Sequence, residues 1–299
     1  MEPTEQHWYD LMFENRFMKL KGTEFQNFFA DIMEGRYPGD FQRVRPWGRS
    51  GDRKNDGYLR SRRELYQVYA PNEMSAKDAI DKIDEDFNGA LPYWQEYYDI
   101  WYFVHNDRSG LGPEITHKLL DLEAKHKPLG VRPYGYSELL VEVRQLCSEN
   151  LLLLFGAVPT ADGMRRVGNK ELITVLSVIS QQPEVAQPDL RQPPQDKIAL
   201  NALSADVASF LLLGMRKTDQ VKKFFKQYYD PQYGDKIAVA FQSEYLALKS
   251  SGLAPDQIFA GLIKFAGGAS RGDPAYESAV LALVAYLFEE CEIFERVGR

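Results

Sequence analysis

The stretch that most constrains the fold of this chain is an unbroken apolar run at Ile100–Val104, with the sequence Ile-Trp-Tyr-Phe-Val. Aromatic and β-branched residues without polar alternation are typical of a central strand that is covered on both faces. Amphipathic helical patterns precede and follow this run, which predicts helices packed on a sheet. The first half of the chain is therefore expected to be a mixed α/β domain.

The other patterns of the first half predict an order of elements. Apolar residues at helical spacing begin at Phe25, and Gly35 with Pro38 ends that helix. Ser137 is a suitable N-cap for a later helix. The predicted order is α-β-β-β-α-β-α-β-α, with strands at Phe41–Arg45, Asp56–Leu59, Leu65–Ala70, Ile100–Val104 and Leu129–Tyr134, and further helices near Ser75–Ala90 and Glu114–Ala124.

The second half of the chain shows helical patterns only. Four prolines fall within twelve residues, at 183, 188, 193 and 194, and predict an extended connector. Beyond it, Thr218, Pro255 and Asp273-Pro274 are start signals for helices. We therefore expect an α/β domain at residues 18–148, a connector with a helix at 149–197, and an all-α regulatory or assembly domain at 198–299.

Composition agrees with an ordinary globular protein of about two domains. The 299 residues carry a formal charge of −7, and 44% of them are hydrophobic. No apolar run approaches the ~18 residues of a membrane span, and the acidic segment Met1–Glu5 is unlike a secretion signal. Cys147 and Cys291 are expected to be two buried thiols in a reducing cytoplasm, because two cysteines build no disulfide framework or metal cage alone.

The acidic chain contains one concentrated basic stretch. Between Arg43 and Arg63 there are eight arginines and lysines but only two aspartates. Such a stretch predicts a local anion site, and a nucleic-acid backbone is a candidate ligand. The alternative interpretation is a solvated arginine-rich loop. The candidate nucleic-acid contacts are Arg43, Arg45, Arg49, Arg53 and Lys54.

Three short motifs occur in the order seen in one nuclease family. They are Gly22-x-x-Phe25-Gln26, then Gly51-Asp52-Arg53-Lys54-Asn55-Asp56-Gly57, then Tyr66-Gln67-Val68-Tyr69. This arrangement resembles the Mrr-type branch of the PD-(D/E)xK nucleases, which shows G-x-x-F-E, G-D-x-x-x-D and Q-x-K. The resemblance covers about residues 22–104. It implies a restriction-endonuclease-like α-β-β-β-α-β core and Mg²⁺- or Mn²⁺-dependent DNA cleavage.

The resemblance also implies the site residues. A hard divalent ion takes oxygen ligands, here the Asp56 carboxylate, the Gln67 side-chain oxygen and a backbone carbonyl near Val68. Two positions depart from the family pattern, because Gln26 replaces the usual glutamate and Tyr69 replaces the usual lysine. The candidate substitutes are Glu24 for the carboxylate and Lys77 or Lys54 for the cation. His105 either faces the site or is a strand-end residue satisfied by a loop.

Further stretches resemble components of bacterial ABC-three-component, Lamassu-like anti-phage systems: Gly39–Gly48, Tyr66–Pro71 and Ile293–Arg296. This resemblance implies a nuclease effector fused to a helical domain, with an SMC-like ATPase and an accessory defence protein as partners. A second copy of the chain is a further candidate partner. The alternative function is a catalytically degenerate nuclease-fold module that binds nucleic acid or scaffolds a defence complex.

Overall fold

A computed structural model describes residues 2–44, 54–179, 197–228, 232–267, 273–290 and 293–295. The chain forms two compact units. The first comprises residues 16–154, and the second combines the first fifteen residues with residues 155–299. The patterns in the sequence did not indicate that the opening residues belong with the C-terminal half.

The first unit has the predicted order of helices and strands, preceded by a helix, α1, that the patterns did not predict. The elements up to residue 155 are α1 (Pro3–Lys19), α2 (Gly22–Arg36), β1 (Phe41–Arg43), β2 (Gly57–Leu59), β3 (Glu64–Tyr69), α3 (Ala76–Trp94), β4 (Ile100–His105), α4 (Pro113–Lys125), β5 (Gly130–Tyr134), α5 (Tyr136–Arg144) and α6 (Ser148–Phe155).

The five strands form one mixed sheet in the order β1-β2-β3-β4-β5. The pairs β1–β2 and β2–β3 are antiparallel, and Gly57 lies opposite Tyr66. The pairs β3–β4 and β4–β5 are parallel, and Gln67 lies opposite Phe103. Strand β4, which contains the apolar run, is therefore central to the parallel part of the sheet, as the sequence predicted.

The two faces of the sheet are covered by different helices. On one face, Leu65, Phe103 and Val131 form a buried core with residues of α3 and α4. On the other face, Phe29 of α2 packs beside Tyr66 and Tyr134 from the strands, with ring centroids 5.4 and 6.0 Å from its own. Burial on both faces explains why β3 and β4 have few alternating polar residues.

Only helices are described in the rest of the chain, where no strand follows β5 in the described ranges. They are α7 (Ala161–Arg166), α8 (Asn169–Ile179), α9 (Lys197–Leu200), α10 (Ala205–Met215), α11 (Thr218–Gln227), α12 (Tyr233–Ser250), α13 (Pro255–Phe265) and α14 (Pro274–Glu289). Helix α14 is buried on nearly all sides, as its apolar sequence requires. Gly214 lets α10 pack closely against α14, because a Cβ at this position would lie 2.7 Å from the carbonyl oxygen of Leu281 in α14.

Two of the helices begin at the predicted prolines, and a third begins earlier than predicted. Pro255 and Pro274 do begin α13 and α14, and Asp273 caps α14 by accepting a 2.9 Å hydrogen bond from the Ala275 N–H. The predicted Ser137 cap is wrong, because α5 begins at Tyr136 and its N-cap is Gly135, two residues before Ser137. Cys147 is exposed rather than buried. The proline-rich connector and Cys291 lie outside the described residues.

None of the described helices is both long and apolar enough to cross a membrane.

Candidate functional site

Asp56 lies immediately before β2 and is only 5% exposed. Its carboxylate accepts a hydrogen bond of 2.5 Å from the Gln26 side-chain amide and one of 2.7 Å from the Val68 N–H. Its own N–H donates to the Tyr66 carbonyl at 3.0 Å. Helix α2 and strand β3 therefore hold the Asp56 carboxylate from two directions.

Gln67 directly precedes Val68, whose N–H donates a hydrogen bond to Asp56. It is 5% exposed, and its Oε1 atom is buried without a hydrogen-bond partner among the described residues. A buried carbonyl oxygen without a partner costs about 1–3 kcal/mol, so it favours a bound donor or cation. Amide and carboxylate oxygens are the ligands that Mg²⁺ takes in proteins.

Asp56, Gln67 and Val68 carry oxygen atoms of the type that a divalent ion binds. In the described part of the chain, no three His, Cys, Asp or Glu side chains are grouped to hold a metal. An ion here would take the Asp56 carboxylate and amide oxygens of Gln67 and Val68. Mg²⁺ commonly binds through one or two carboxylates, with waters and substrate phosphates filling the other positions. These residues are compatible with an ion that is completed by a phosphate substrate.

The helix position that usually carries glutamate does reach the site. Gln26 contacts Asp56 directly. Glu24, the proposed substitute, is exposed in the first turn of α2. The structure therefore places Gln26, and not Glu24, at Asp56, with an amide where the family pattern has a carboxylate.

Lys54 faces α3. Its Nζ forms an ion pair with Glu85 and another, at 3.2 Å, with Asp86. Its backbone has φ of 60°, in the left-handed region that non-glycine residues rarely adopt. Gly89 makes room for this side chain, because a Cβ there would lie 2.7 Å from Lys54 Cγ.

Asp86 is fully buried and joins two lysines. It lies 3.2 Å from Lys54 and 2.8 Å from Lys82, while its Oδ2 atom is buried without a hydrogen-bond partner in the described structure. Burial raises the pKa of Asp86 above its ordinary value, and the hydrogen bond from Lys82 opposes this rise. No motif or spacing indicated this cluster beforehand, because Asp86 looks like an ordinary helical acid.

Lys77 does not face the sheet, contrary to the prediction. It is exposed in the first turn of α3, whereas the buried side of that helix carries Ala79, Ile83 and Phe87. The predicted orientation is wrong because Ile80 is only partly buried. The buried face of α3 runs through Ala79, whereas the prediction placed it through Ile80, one residue later.

Three of the five predicted nucleic-acid contacts, Arg45, Arg49 and Arg53, lie outside the described residues. Arg43 is described, and it binds α2. Its guanidinium forms ion pairs of 2.5 Å with Asp31 and 3.0 Å with Glu34. These intramolecular pairs compete with any phosphate contact by Arg43.

The two remaining candidates occupy the carboxyl ends of β3 and β4. The Tyr69 ring, at the usual lysine position, packs 5.9 Å from the Phe103 ring. His105 is buried, and its Nδ1 accepts a 3.3 Å hydrogen bond from the Asp107 N–H, so it is a strand-end residue satisfied by a loop. Burial lowers the pKa of His105, which favours the neutral imidazole.

Part of this chain matches a family model. Residues 170–295, less than half of the 299, match C-terminal domain 10 of the ABC-three component (ABC-3C) systems. The matched range covers most of the helical part, from α8 to α14. No curated protein and no solved structure matches the chain. The match links the chain to these antiviral defence systems through its C-terminal half.

Proposed function

We propose that this protein is the effector of an ABC-three-component defence system and that its N-terminal unit is a metal-dependent DNA endonuclease. The observation that carries the proposal is the arrangement at the start of β2. The Asp56 carboxylate is held by the N–H next to Gln67, and Gln67 has a buried oxygen without a hydrogen-bond partner in the described chain. This is the position and the order of the acid and amide in the Mrr-type pattern.

Asp56, Gln67 and the Val68 carbonyl would hold Mg²⁺ or Mn²⁺. When bound, such an ion neutralises charge on a phosphodiester and activates water. The protein's own contribution is orientation. The Gln26 amide and the Val68 N–H fix both oxygens of Asp56. Burial of Asp56 and Gln67 limits competition from bulk water, which strengthens electrostatic interactions at the site.

The helical C-terminal half is proposed to connect the effector to its partners. The match to an ABC-3C C-terminal domain supports a role in a system of several components. An SMC-like ATPase and an accessory defence protein are the proposed partners, with double-stranded DNA as the substrate. This division of roles leaves cleavage to the sheet and control to the helices.

A second candidate function is a non-catalytic module that binds nucleic acid or scaffolds the complex. The placement of the two candidate lysines favours it. Lys54 is paired with Glu85 and Asp86, and Lys77 is exposed on α3. Neither arrangement provides the cation that the family pattern has two residues after Gln67.

Incubation of supercoiled plasmid with the full chain, alone and with its co-expressed partner proteins, tests the proposal. Mg²⁺ or Mn²⁺ should support nicking or linearisation, and EDTA should stop it. Asp56→Asn should reduce the rate by at least about 10²-fold, since removing one electrostatic interaction from a site costs that much. Asp121→Asn, an exposed acid of α4, is the matched control. Equal cleavage by the parent and Asp56→Asn, or none with partners present, favours the binding module.

A further inference from the structure

A pocket of about 230 Å³ lies beyond the carboxyl ends of β3 and β4. It is built from three separate segments of the first unit: the α1–α2 junction, the residues after β3 and the residues after β4. Outside the carboxyl ends of parallel strands is where α/β sheets commonly bind ligands. Its lining includes Lys21, Asn72, Asn106, Asp107, Arg108 and Ser109.

Buried hydrogen bonds fix the walls of this pocket. Asn106 is 6% exposed, and its side-chain amide donates to the Leu20 carbonyl at 3.4 Å and the Pro71 carbonyl at 3.3 Å. The Gly22 N–H donates to the Ala70 carbonyl at 2.7 Å. The three segments are therefore tied together by the chain's own hydrogen bonds, so the pocket is preformed.

The charged side chains of the lining are mainly cationic. Lys21 and Arg108 contribute positive charge, and Asp107 contributes one negative charge. The Asp107 carboxylate already accepts a 2.8 Å hydrogen bond from the Ser109 N–H. The Arg108 guanidinium lies 3.6 Å from the centroid of the Tyr136 ring, and this contact restricts its movement.

Lys21 lies in an environment that favours an anion. Burial lowers the pKa of its ammonium group, and Asp107 opposes this change. A partly desolvated cation gains more from an anionic ligand than a hydrated one does. Lys21 is also the N-cap of α2, and no side chain caps this helix end. The positive end of the α2 dipole adds to the same potential.

We propose that this pocket binds a phosphate monoester group, carried by a mononucleotide or by the end of a DNA strand. Two cations suit a dianionic group with three terminal oxygens, and the neutral side chains of Asn72 and Ser109 can supply further hydrogen bonds. The volume falls below the roughly 300–1,000 Å³ typical of drug-sized ligand sites, so the pocket accommodates the phosphate and its nearest substituent. The proposal uses no residue of the Asp56 site and is independent of cleavage.

Isothermal titration calorimetry with the full chain in EDTA tests this proposal, because EDTA removes metal-dependent cleavage. The probes are inorganic phosphate, adenosine 5′-monophosphate, adenosine, and one oligonucleotide with or without a 5′-phosphate. The phosphorylated probes should bind, and each should bind at least about tenfold more tightly than its unphosphorylated counterpart. A mononucleotide as tight as the oligonucleotide identifies a free nucleotide as the source, and a tighter phosphorylated oligonucleotide identifies a DNA end.

Lys21→Gln and Arg108→Gln should each weaken binding by about tenfold, since a charge-assisted hydrogen bond contributes that much. Lys125→Gln, an exposed lysine of α4, is the matched control and should leave affinity unchanged. Lys21→Arg should restore most of the affinity, which separates loss of charge from loss of folding. Undetectable phosphate binding by the parent, or parental affinity in both Lys21→Gln and Arg108→Gln, would overturn the proposal.

Discussion

The Gln26 side-chain amide donates a 2.5 Å hydrogen bond to the Asp56 carboxylate across the junction of α2 and β2. A neutral donor thus faces the acid at the position where the Mrr-type pattern has a second carboxylate. Without a metal this pairing is favourable, because the amide satisfies a buried acceptor. If a metal were bound, the Gln26–Asp56 pair would offer it one negative charge, whereas two carboxylates would offer two.

Gln26→Glu should make the stability of the protein depend on a bound metal ion. In EDTA the two carboxylates repel and the hydrogen bond is absent, so the free energy of unfolding should fall by about 1–3 kcal/mol. Saturating Mn²⁺ should recover most of that loss. Urea denaturation with and without Mn²⁺ measures both effects. Gln26→Ala is the control and should be destabilised in both conditions. An equal response of Gln26→Glu and the parent to Mn²⁺ would contradict the metal site.

Asp86 should make stability fall as the pH rises. Burial raises its pKa above the ordinary value of 3.8, so the folded state holds the proton more tightly than the unfolded state. The free energy of unfolding should therefore decrease from about pH 4 up to the raised pKa and then level off. Asp86→Asn removes this slope. Urea denaturation of both proteins between about pH 4 and 8 measures the difference.

Glu85, the adjacent acid, provides the opposite control. The hydrogen bond from Lys54 and the nearby Lys82 lower the pKa of Glu85, so its contribution is present above its ordinary value of 4.5 and is lost as the pH falls. Glu85→Gln should therefore remove an increase of the free energy of unfolding with rising pH, the opposite of the change expected for Asp86→Asn. Identical pH profiles for the parent and Asp86→Asn would show that Asp86 does not titrate as its burial implies.

Gly135→Ala should be destabilising because of His105. A Cβ at Gly135 would lie 2.6 Å from the His105 Nε2, and overpacking of this kind costs about 1–3 kcal/mol. In a His105→Ala background the same change should cost far less, which a double-mutant cycle detects by thermal or urea denaturation. Gly112→Ala is a matched control, since Gly112 is also a helix N-cap and a Cβ there would meet nothing within 4 Å. Equal costs in both backgrounds would refute the steric conflict.

Arg43 should contribute little to DNA binding. Its ion pairs with Asp31 and Glu34 already satisfy the guanidinium, so Arg43→Gln should leave the salt dependence of affinity nearly unchanged. Joint replacement of Arg45, Arg49 and Arg53 should instead reduce the slope of log affinity against log salt by about 0.9 for each phosphate that is no longer neutralised. Fluorescence anisotropy over a salt series measures the slopes. A larger change for Arg43→Gln than for the triple variant would reverse the assignment.

The order of strands and helices in the first unit could be predicted because it depends on local patterns. The apolar run at Ile100–Val104 does form β4, and Pro274 does begin α14. Hydrophobic periodicity and the residues that start or end a helix are properties of short segments, so they can be identified directly in a sequence. The contact between Gln26 and Asp56 was not predicted, because the residues proposed for the site included Glu24 and not Gln26.

The side-chain directions of the two lysines could not be predicted in the same way. The partner of Lys54 depends on a left-handed backbone at a non-glycine residue, for which propensity provides no signal. The direction of Lys77 depends on whether Ala79 or Ile80 marks the buried stripe, and a shift of one residue turns a helix face by about 100°. Tertiary packing decides both, and it involves residues far apart in the sequence.

The contact between the rings of Trp8 and Phe210 determines when the second unit can fold during synthesis. Trp8 is fully buried and its ring lies 4.9 Å from that of Phe210, within the second unit. At about 5–20 residues per second, a ribosome needs roughly 10–40 s to travel between these two positions. Trp8 therefore cannot make this contact until residues 16–154, which separate the two parts of its unit, and Phe210 itself have been synthesised.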